Sequence, residues 1–329
     1  MHLRIHQAIV CCMLGIVPII SFLTLYGIAA CAERTPSSPD PIPSDTSAVI
    51  PPGEDSVFHP ERRLALLHDE RLLEISGIAA SRRDDGLLWL HNDSGDKPRI
   101  FAIDTLGNLV AEIALLQATH RDYEDMASAT IDGIHWLYIG DVGDNSKRRD
   151  RVTVYRFVEP AIASSLRDTA FSITVEHMHM RYPDGPRDCE ALFVDPRDGY
   201  IYLIEKTGLV SCGVYRTAWQ TGDTDAVLER VFDVRIPQSL GPLRLVTGAD
   251  FASTADRIVV RTYGAMYEYS LPGATSPLDV LNTEPSTTLT KPVLQQAEAV
   301  CYTRDGRHIY TTSEGENQPL YRIERRDGQ

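Results

Sequence analysis

A five-fold internal repeat constrains the fold of this chain more than any other feature of its sequence. Each copy has an apolar segment that opens with small or acidic residues, a second apolar segment that runs into a glycine turn, and a third that carries an aromatic residue. The turn glycines are Gly95, Gly143, Gly208, Gly264 and Gly315, and the aromatic residues are Phe101, Tyr155, Tyr215, Tyr267 and Tyr321. Self-similarity at a period of roughly 50 residues is typical of proteins built from repeated small units.

The spacing of apolar runs predicts four strands in each unit. A further β-like run separates one copy from the next, as in 109–115, 171–180 and 228–236. Short strands of this composition and period predict an all-β fold, a five-bladed β-propeller of four-stranded blades with inter-blade aromatic residues. The last unit lacks a fourth strand, and we expect the spare N-terminal strand at 63–67 to pair with it and close the ring. A β-sandwich is the alternative architecture.

The N-terminus has the pattern of an export signal. An uncharged, mostly apolar stretch from Ala8 to Ala30 follows Arg4 and is long enough to cross a bilayer. It ends in the run 27–31, Gly-Ile-Ala-Ala-Cys, which resembles the bacterial lipoprotein signal. By that resemblance Cys31 is lipidated, with palmitate among the added chains. An uncleaved membrane anchor is the alternative, and both interpretations export the rest of the chain.

Three regions follow from this pattern. Residues 1–30 are the predicted signal peptide, 31–58 form a tether rich in Pro and Ser, and 59–329 form the propeller domain. Ala32 after the cysteine favours the outer membrane in a Gram-negative cell. We therefore expect an exported, membrane-anchored lipoprotein at the outer membrane or cell surface, with the periplasmic side as the alternative, monomeric and held by its N-terminal lipid.

The net charge bears on nucleic-acid binding, and the cysteine content bears on disulfide formation. The chain has 32 Lys and Arg against 46 Asp and Glu, a net charge of −14, so we expect no nucleic-acid partner, which would need clustered basic residues. Without the residues up to the predicted lipidation site, Cys189, Cys212 and Cys301 remain. The topology puts Cys189 and Cys212 on one face of the third blade, where the sequence leaves a disulfide open.

A family resemblance rests on the repeat and on two of its turns, Asn-Asp-Ser-Gly-Asp at 92–96 and Gly-Asp-Val-Gly-Asp-Asn at 140–145. These features resemble exported bacterial β-propeller lipoproteins, most of which have no assigned function. That group is loosely similar to phytase-like, YncE and NHL-type propellers. The resemblance covers roughly 75–325 and implies the fold more closely than an activity. The long acidic signature of propeller phytases is not evident in this sequence.

Blade topology places the acidic residues of the repeat at one end of the ring. Successive antiparallel strands reverse direction, so the start of each first strand and the turn after each second strand lie on one face. We expect these side chains to gather at one mouth of the central channel: Asp93, Asp96, Glu124, Asp125, Asp141, Asp144, Asn145, Glu190, Glu205, Asp250, Glu298 and Glu314. This acidic mouth is the main site hypothesis from the sequence.

Two of the turns have the composition of a calcium site. Asp93, Asp96, Asp141, Asp144 and Asn145 put hard oxygen atoms on tight, glycine-containing turns, so they are the predicted metal ligands and Ca²⁺ is the predicted cofactor. The alternative is that these side chains accept hydrogen bonds from nearby backbone N–H groups of the turns.

Three glutamates are the catalytic candidates. Glu124, Glu190 and Glu298 resemble the three-carboxylate count of five-bladed glycosidases, in which one acid protonates a leaving group and another activates water. The alternative is structural, because repeated units duplicate equivalent acids and Arg121 and Arg187 stand nearby as partners.

The remaining polar residues of the expected mouth are candidate ligand contacts, namely Asp125, Glu205, Lys206, Asp250, Arg261 and Glu314. Lys206 and Arg261 either bind an anionic ligand or serve as countercharges for the acids. The sequence therefore predicts a tethered propeller that binds a small molecule, a protein partner or a divalent metal at its acidic mouth. The alternative is a calcium-dependent hydrolase of phosphate esters or glycosides, and the sequence leaves open whether the protein is an enzyme.

Overall fold

Five sheets, whose strands are mainly antiparallel, make up the computed structural model, in agreement with the five sequence repeats. The structure describes residues 57–162, 167–222, 225–237, 241–273 and 276–326. The predicted signal peptide, the lipidation site Cys31 and nearly all of the predicted tether lie outside these ranges.

The blades follow one another along the chain. Strand β1 (Arg62–Leu66) comes first and belongs to the last blade. Blade one contains β2 (Ile75–Ala80), β3 (Leu87–Asn92), β4 (Arg99–Asp104) and β5 (Leu109–Leu116). Blade two begins with β6 (Tyr123–Ile131), β7 (Ile134–Asp141) and β8 (Val152–Val158); β9 (Thr169–Thr174) then joins blade one, and β10 (Glu176–Arg181) completes blade two.

The remaining blades keep the same order. Blade three contains β11 (Cys189–Val194), β12 (Ile201–Glu205), β13 (Ser211–Thr217) and, after β14 (Ala226–Val227), which joins blade two, β15 (Glu229–Arg235). A 3₁₀ turn at Gly241–Arg244 leads to blade four, with β16 (Val246–Phe251), β17 (Arg257–Thr262), β18 (Met266–Ser270) and, after the short helix α1 (Pro277–Val280), β19 (Thr287–Leu289). Blade five contains β20 (Val300–Tyr302), β21 (Ile309–Thr311), β22 (Pro319–Ile323) and β1.

Closure of the ring by the N-terminal strand is confirmed. β1 pairs antiparallel with β22, with Arg62 opposite Arg322 and Leu66 opposite Pro319. The first strands of the blades, β2, β6, β11, β16 and β20, contact each other in cyclic order, and β20 returns to β2. The fold is therefore the predicted five-bladed propeller, with the first strands around its axis.

One predicted strand is two strands that serve different blades. The run 171–180 reads as a single segment, but β9 pairs in parallel with β5 of blade one, whereas β10 pairs antiparallel with β8 of blade two. The apolar alternation continues across the break with no glycine or proline between the two strands, so no local signal separates them. Blade one consequently has five strands, and blade two also has five because β14 pairs in parallel with β10.

The hydrophobic core is divided among the spaces between blades. Each of the five buried clusters joins residues of two neighbouring blades. The aromatic residues of the repeat confirm this placement at Phe101, Tyr155, Tyr215 and Tyr267, which are all buried, whereas Tyr321 is half-buried. Packing between sheets thus stabilises the ring, because each sheet covers both of its faces with a neighbour.

No helix among the described residues has the length and apolar character needed to span a membrane.

Candidate functional site

A β-bulge at one end of the ring pushes one residue of each first strand out of the ladder. In blades one to four the register shifts at these residues, Ser76, Glu124, Glu190 and Thr247. Glu298 has the same place in blade five, since Thr312 donates its N–H to the carbonyl oxygen of Ala299 directly after it. Bulges commonly re-aim side chains at the rim of a sheet. We call Ser76, Glu124, Glu190, Thr247 and Glu298 the bulge ring.

A residue one to three places after the end of each second strand lies beside the bulge ring. Its backbone N–H donates to the carbonyl oxygen of the residue two places before the bulge residue, at 2.7–3.3 Å. These donors, which we call the turn ring, are Asp93, Gly143, Lys206, Tyr263 and Glu314. The bulge ring and the turn ring together form the mouth. The predicted clustering of Glu124, Glu190 and Glu298 with Asp93, Lys206 and Glu314 at one end of the ring agrees with this register.

Three carboxylates of the mouth converge. One oxygen from each of Asp93, Asp122 and Glu124 lies within 4.8 Å of the other two, so we call these residues the acidic triplet. Glu124 is only 4% exposed, and its side chain has no hydrogen-bond or ion-pair partner in the described part of the chain. A Cβ atom on Gly143 would lie 1.9 Å from Glu124 Oε1 and 2.6 Å from Asp122 Oδ2. The absence of a side chain at Gly143 therefore makes room for two of the three carboxylates.

Burial and mutual repulsion disfavour negative charge on the acidic triplet. Burial raises the pKa of Glu124 well above its usual range, and the nearby Glu190, Asp93 and Asp122 raise it further. Burial, followed by repulsion from Asp93, raises the pKa of Asp122 to about 6. Three hard oxygen donors of this kind suit Ca²⁺ or Mg²⁺ better than a soft transition metal. The residues present therefore fit a divalent cation.

The opposite side of the mouth is organised by Lys206. Its ammonium pairs with Glu190 and donates to Tyr263 Oη at 3.2 Å, and the Tyr263 hydroxyl donates to Glu298 Oε1 at 2.7 Å. Burial alone would lower the pKa of Lys206, but Glu190 outweighs this effect and the pKa rises. Two of the three catalytic candidates are thus held in a chain of hydrogen bonds, whereas Glu124 is not.

Lys206 acts on most acids of the mouth. Its charge lowers the pKa of Asp93, Glu124, Asp188, Glu190, Glu298 and Glu314. Even so, burial and repulsion raise the pKa of Glu314 to about 8. One ammonium does not neutralise this number of carboxylates, so the mouth keeps an excess of negative charge.

Asp125 lies deeper than the mouth and closes the axis. Its Oδ2 accepts the N–H of Leu192 in blade three and of Ala249 in blade four, both at 2.9 Å, while Oδ1 accepts the N–H of Met126 at 2.8 Å. A single side chain of blade two therefore reaches two other blades. Asp125 thus ties the first strands of blades two, three and four together below the mouth.

Asp250 also lies below the mouth. Thr247 is the bulge residue of blade four, and Asp250 follows three places later, where its Oδ2 accepts the N–H of Tyr302 at 2.8 Å. The sequence pattern aligns Asp250 with Asp125, in the runs Ala249-Asp250-Phe251-Ala252 and Glu124-Asp125-Met126-Ala127. The bulge instead places Thr247 at the position of Glu124, so blade four has a threonine at the mouth.

The structure gathers only Asp93, of the five predicted metal ligands, into the acidic triplet. Asp96 pairs with Arg99 at 2.7 Å, and Asp141 pairs with Arg149 at 2.8 Å. Asp144 accepts the N–H of Arg149 at 2.7 Å, and Asn145 is exposed. Arginine already neutralises Asp96 and Asp141, and Asp144 bonds its own turn as the structural alternative describes.

Two further predicted features lie at or near the rim. Glu205 pairs with Lys147 at 3.0 Å, so it is occupied by a countercharge. Cys189 and Cys212 are both buried free thiols in the structure, and the disulfide that the sequence leaves open is not formed there.

A second set of polar residues lies behind the mouth. His91 faces Gly77 and Arg261 faces Gly248 on the neighbouring first strands, and Thr312 bonds to Ala299 at the same level. All three are fully buried. His91 Nε2, Arg261 Nε, Arg261 Nη1 and Thr312 Oγ1 have no hydrogen-bond partner within the described ranges.

Asp122 and Tyr263 are site residues that the sequence analysis missed. Asp122 stands two places before Glu124 and therefore on the same side of the strand, which is a usable signal. Tyr263 has the same place in the turn ring of blade four as Lys206 has in blade three. Its neighbour Gly264 predicts the turn but does not indicate that the tyrosine side chain belongs to the site. Asp122 shares its type with its equivalent in blade three, Asp188, whereas no equivalent of Tyr263 in another blade is a tyrosine.

Comparison with known proteins gives little beyond these observations. No protein-family model and no curated protein matches the sequence. Among solved structures, the chain is similar to the PQQ-bound aldose sugar dehydrogenase from Streptomyces coelicolor, with 12% identity, a TM-score of 0.42, and coverage of 80% of this chain and 97% of that chain. No residue role is carried over from that protein. The resemblance to exported lipoprotein propellers stays a prediction.

Proposed function

We propose that this protein is a ligand-binding propeller whose acidic mouth takes up a divalent cation between Asp93, Asp122 and Glu124. The observation that carries the proposal is the convergence of three carboxylates within 4.8 Å around a buried, unpartnered Glu124. Buried carboxylates normally have partners, and a cation is the partner that three of them can share. Ca²⁺ is the first ion to test, because it accepts several carboxylate oxygens in irregular geometry.

The charge of the whole mouth supports the same conclusion. Lys206 is the only basic residue of the bulge ring and turn ring, against Glu124, Glu190, Glu298, Asp93 and Glu314. A divalent cation at the acidic triplet offsets part of this excess and displaces the protons that repulsion otherwise retains. The role of the protein is then to hold a cation at the mouth, where a polar ligand can bind to it.

Calorimetric titration of the metal-free protein with CaCl₂ and MgCl₂ tests the proposal. Glu124→Gln and Asp122→Asn remove one ligand charge each, and we expect each to weaken Ca²⁺ binding by at least about tenfold. Asp96→Asn is the matched control, since Asp96 is a predicted ligand that pairs with Arg99 instead. Loss of Ca²⁺ binding in Asp96→Asn but not in Glu124→Gln would contradict the assignment.

Hydrolysis is the second candidate function. The observation in its favour is that Glu124, with a pKa well above its usual range, suits a general acid, and that Glu190 and Glu298 hold equivalent places. Against it, Glu190 pairs with Lys206 and Glu298 accepts from Tyr263. Turnover of nitrophenyl glycosides or phosphates that Glu190→Gln abolishes without a change in Ca²⁺ affinity would favour hydrolysis over binding.

We also propose that the propeller is exported and tethered through a lipid on Cys31. This location would present the mouth to extracytoplasmic Ca²⁺. Mass spectrometry of the N-terminal peptide tests the proposal, with Cys31→Ser expected to abolish lipid attachment and to release the protein from the membrane fraction. An unmodified Cys31 in the membrane fraction would indicate an uncleaved anchor.

A further inference from the structure

Arg261 is a buried arginine in which two of the three guanidinium nitrogen atoms have no acceptor. It is 1% exposed, and its Nε and Nη1 atoms have no hydrogen-bond partner in the described part of the protein. A charged group taken out of water without a partner costs considerable free energy. Such a residue therefore needs a role that the ligand-free fold does not explain.

The other buried arginines show what a structural role looks like. Arg149 pairs with Asp141, Arg325 pairs with Glu268, and Arg82 donates to the carbonyl oxygen of Ser128 at 3.0 and 3.1 Å. Each of the three has an acceptor at hydrogen-bond distance. Among the buried arginines of the described ranges, Arg261 alone makes no such hydrogen bond or ion pair.

Glu298 is the charged group that most affects the pKa of Arg261, but its carboxylate already has another hydrogen-bond partner. Glu298 raises the pKa of Arg261 against burial, which lowers it to about 10. The same carboxylate accepts the hydroxyl of Tyr263 and lies in the field of Lys206. Arg261 therefore keeps its positive charge near neutral pH while two other groups share its carboxylate.

The position of Arg261 connects it to the mouth. Tyr263 lies two residues further along the chain toward the mouth, so the two side chains leave the strand on the same side. Tyr263 belongs to the turn ring and is only half-buried. A ligand group that breaks the hydrogen bond between Tyr263 and Glu298 would reach the guanidinium from the mouth.

His91 and Thr312, at the same level of blades one and five, also have unpartnered atoms. Burial lowers the pKa of His91 to about 4, so both side chains are neutral near pH 7, and a neutral partner such as one water molecule would be enough for each. The charge of Arg261 distinguishes it, because a neutral water does not compensate a guanidinium.

We propose that Arg261 binds a carboxylate group of the ligand, so that the mouth recognises a carboxylic acid rather than a neutral molecule. Guanidinium and carboxylate match in charge and planar shape. A phosphate group places close to two negative charges at one point whereas a carboxylate group places one, so a phosphate beside Arg261 would meet stronger repulsion from the bulge-ring glutamates. The proposal rests on the proposed function, since a cation at the acidic triplet lowers the repulsion that an entering carboxylate meets.

Thermal unfolding of the full chain with succinate as the probe tests the proposal, with uncharged succinamide as the control ligand, in calcium and in EDTA. The variants are Arg261→Met and, as the matched buried control, Arg82→Met. We expect succinate, but not succinamide, to raise the melting temperature of the wild type in calcium. Arg261→Met should lose this rise while its ligand-free melting temperature equals or exceeds that of the wild type. Arg82→Met should melt several degrees lower and keep the rise.

Two results would overturn the proposal. If ligand-free Arg261→Met loses as much thermal stability as Arg82→Met, Arg261 is a structural partner of Glu298. If succinate leaves the wild type unchanged in both calcium and EDTA, the mouth does not bind carboxylates. A succinate response that needs Arg261 but is equal in calcium and EDTA, with no effect of calcium alone, supports the carboxylate site while the proposed cation site fails.

Discussion

Glu124 owes its role to three local circumstances. The bulge takes it out of the strand ladder, its neighbours leave it 4% exposed, and its carboxylate has only other carboxylates nearby. Glu190 has the same place in blade three but pairs with Lys206. Equivalent residues of the repeat thus differ in chemistry because the neighbouring turn-ring residue differs: it is Lys206 beside Glu190 and Gly143 beside Glu124.

Gly143 is the residue through which the acidic triplet is most easily tested. The Cβ atom of Gly143→Ala would fall 1.9 Å from Glu124 Oε1, and the glycine has no positive φ that alanine would strain. We expect Ca²⁺ affinity to fall at least about tenfold, because the carboxylates must move apart. Calorimetry measures the change. Gly208→Ala in the turn of blade three is the control, since its Cβ would meet no atom within 4 Å, and equal affinities of the two variants would contradict the site.

Asp250 predicts a pH dependence of stability. Burial raises its pKa to about 6 in the folded chain, whereas an unfolded aspartate titrates near 3.9. Between these values the folded state holds more protons than the unfolded state, so this contribution to stability is present below about pH 4 and is lost as the pH rises through 6. Asp250→Asn removes the penalty and can still accept from Tyr302. Its stability relative to wild type should rise by about 2–3 kcal/mol from pH 4 to pH 7 in urea unfolding.

The exposed Asp132→Asn variant controls for a general effect of removing a carboxylate. A constant difference between Asp250→Asn and wild type across this pH range would show that Asp250 stays ionised when buried.

At the scale of elements, the bulges decide which side chains reach the mouth. The turn glycines predict the right turns, but relative to the turn ring they stand at different places: Gly143 is a member, Gly264 and Gly315 follow by one residue, and Gly95 and Gly208 follow by two. A bulge inserts one residue without leaving a sequence signal. The sequence therefore predicts the end of the blade at which the acids lie, and not which acids face one another.

Asp125 should be a stability residue that holds blades together. Asp125→Ala leaves the buried N–H groups of Met126, Leu192 and Ala249 without acceptors, and each unpaired group costs about 1–3 kcal/mol. We expect the free energy of unfolding to fall by roughly 3 kcal/mol or more. Denaturant titration provides the measurement. Asp125→Asn retains one acceptor oxygen and should lose less, and an Asp125→Ala variant as stable as wild type would refute the role.

At the scale of the molecule, strand β1 links the two ends of the ring. Without it, β22 would present an unpaired edge and blade five would have three strands. We expect a chain that begins at residue 57 to unfold cooperatively, and a chain that begins at residue 67 to aggregate or to melt at a much lower temperature. Scattering and circular dichroism distinguish the two. Equal melting temperatures would mean that the propeller does not need this closure.

The repeat by itself determined the fold class, the number of blades and the closing strand. These depend on alternation of apolar residues and on the spacing of turns, which are local properties of a chain. It also placed Glu124, Glu190, Glu298 and Asp93 at one end of the ring, because antiparallel strands reverse direction at each turn.

Only the tertiary structure decided which of these acids share a site. Asp96 and Asp141 found arginines, Asp125 and Asp250 found backbone N–H groups of other blades, and Asp122 entered the acidic triplet in their stead. Arg99 and Arg149 lie only three and eight residues after their partners, whereas the backbone groups that bind Asp125 and Asp250 belong to other blades. Hydrogen bonds and charge pairs act over a few ångströms in space, so the repeat pattern does not record which groups of different blades meet.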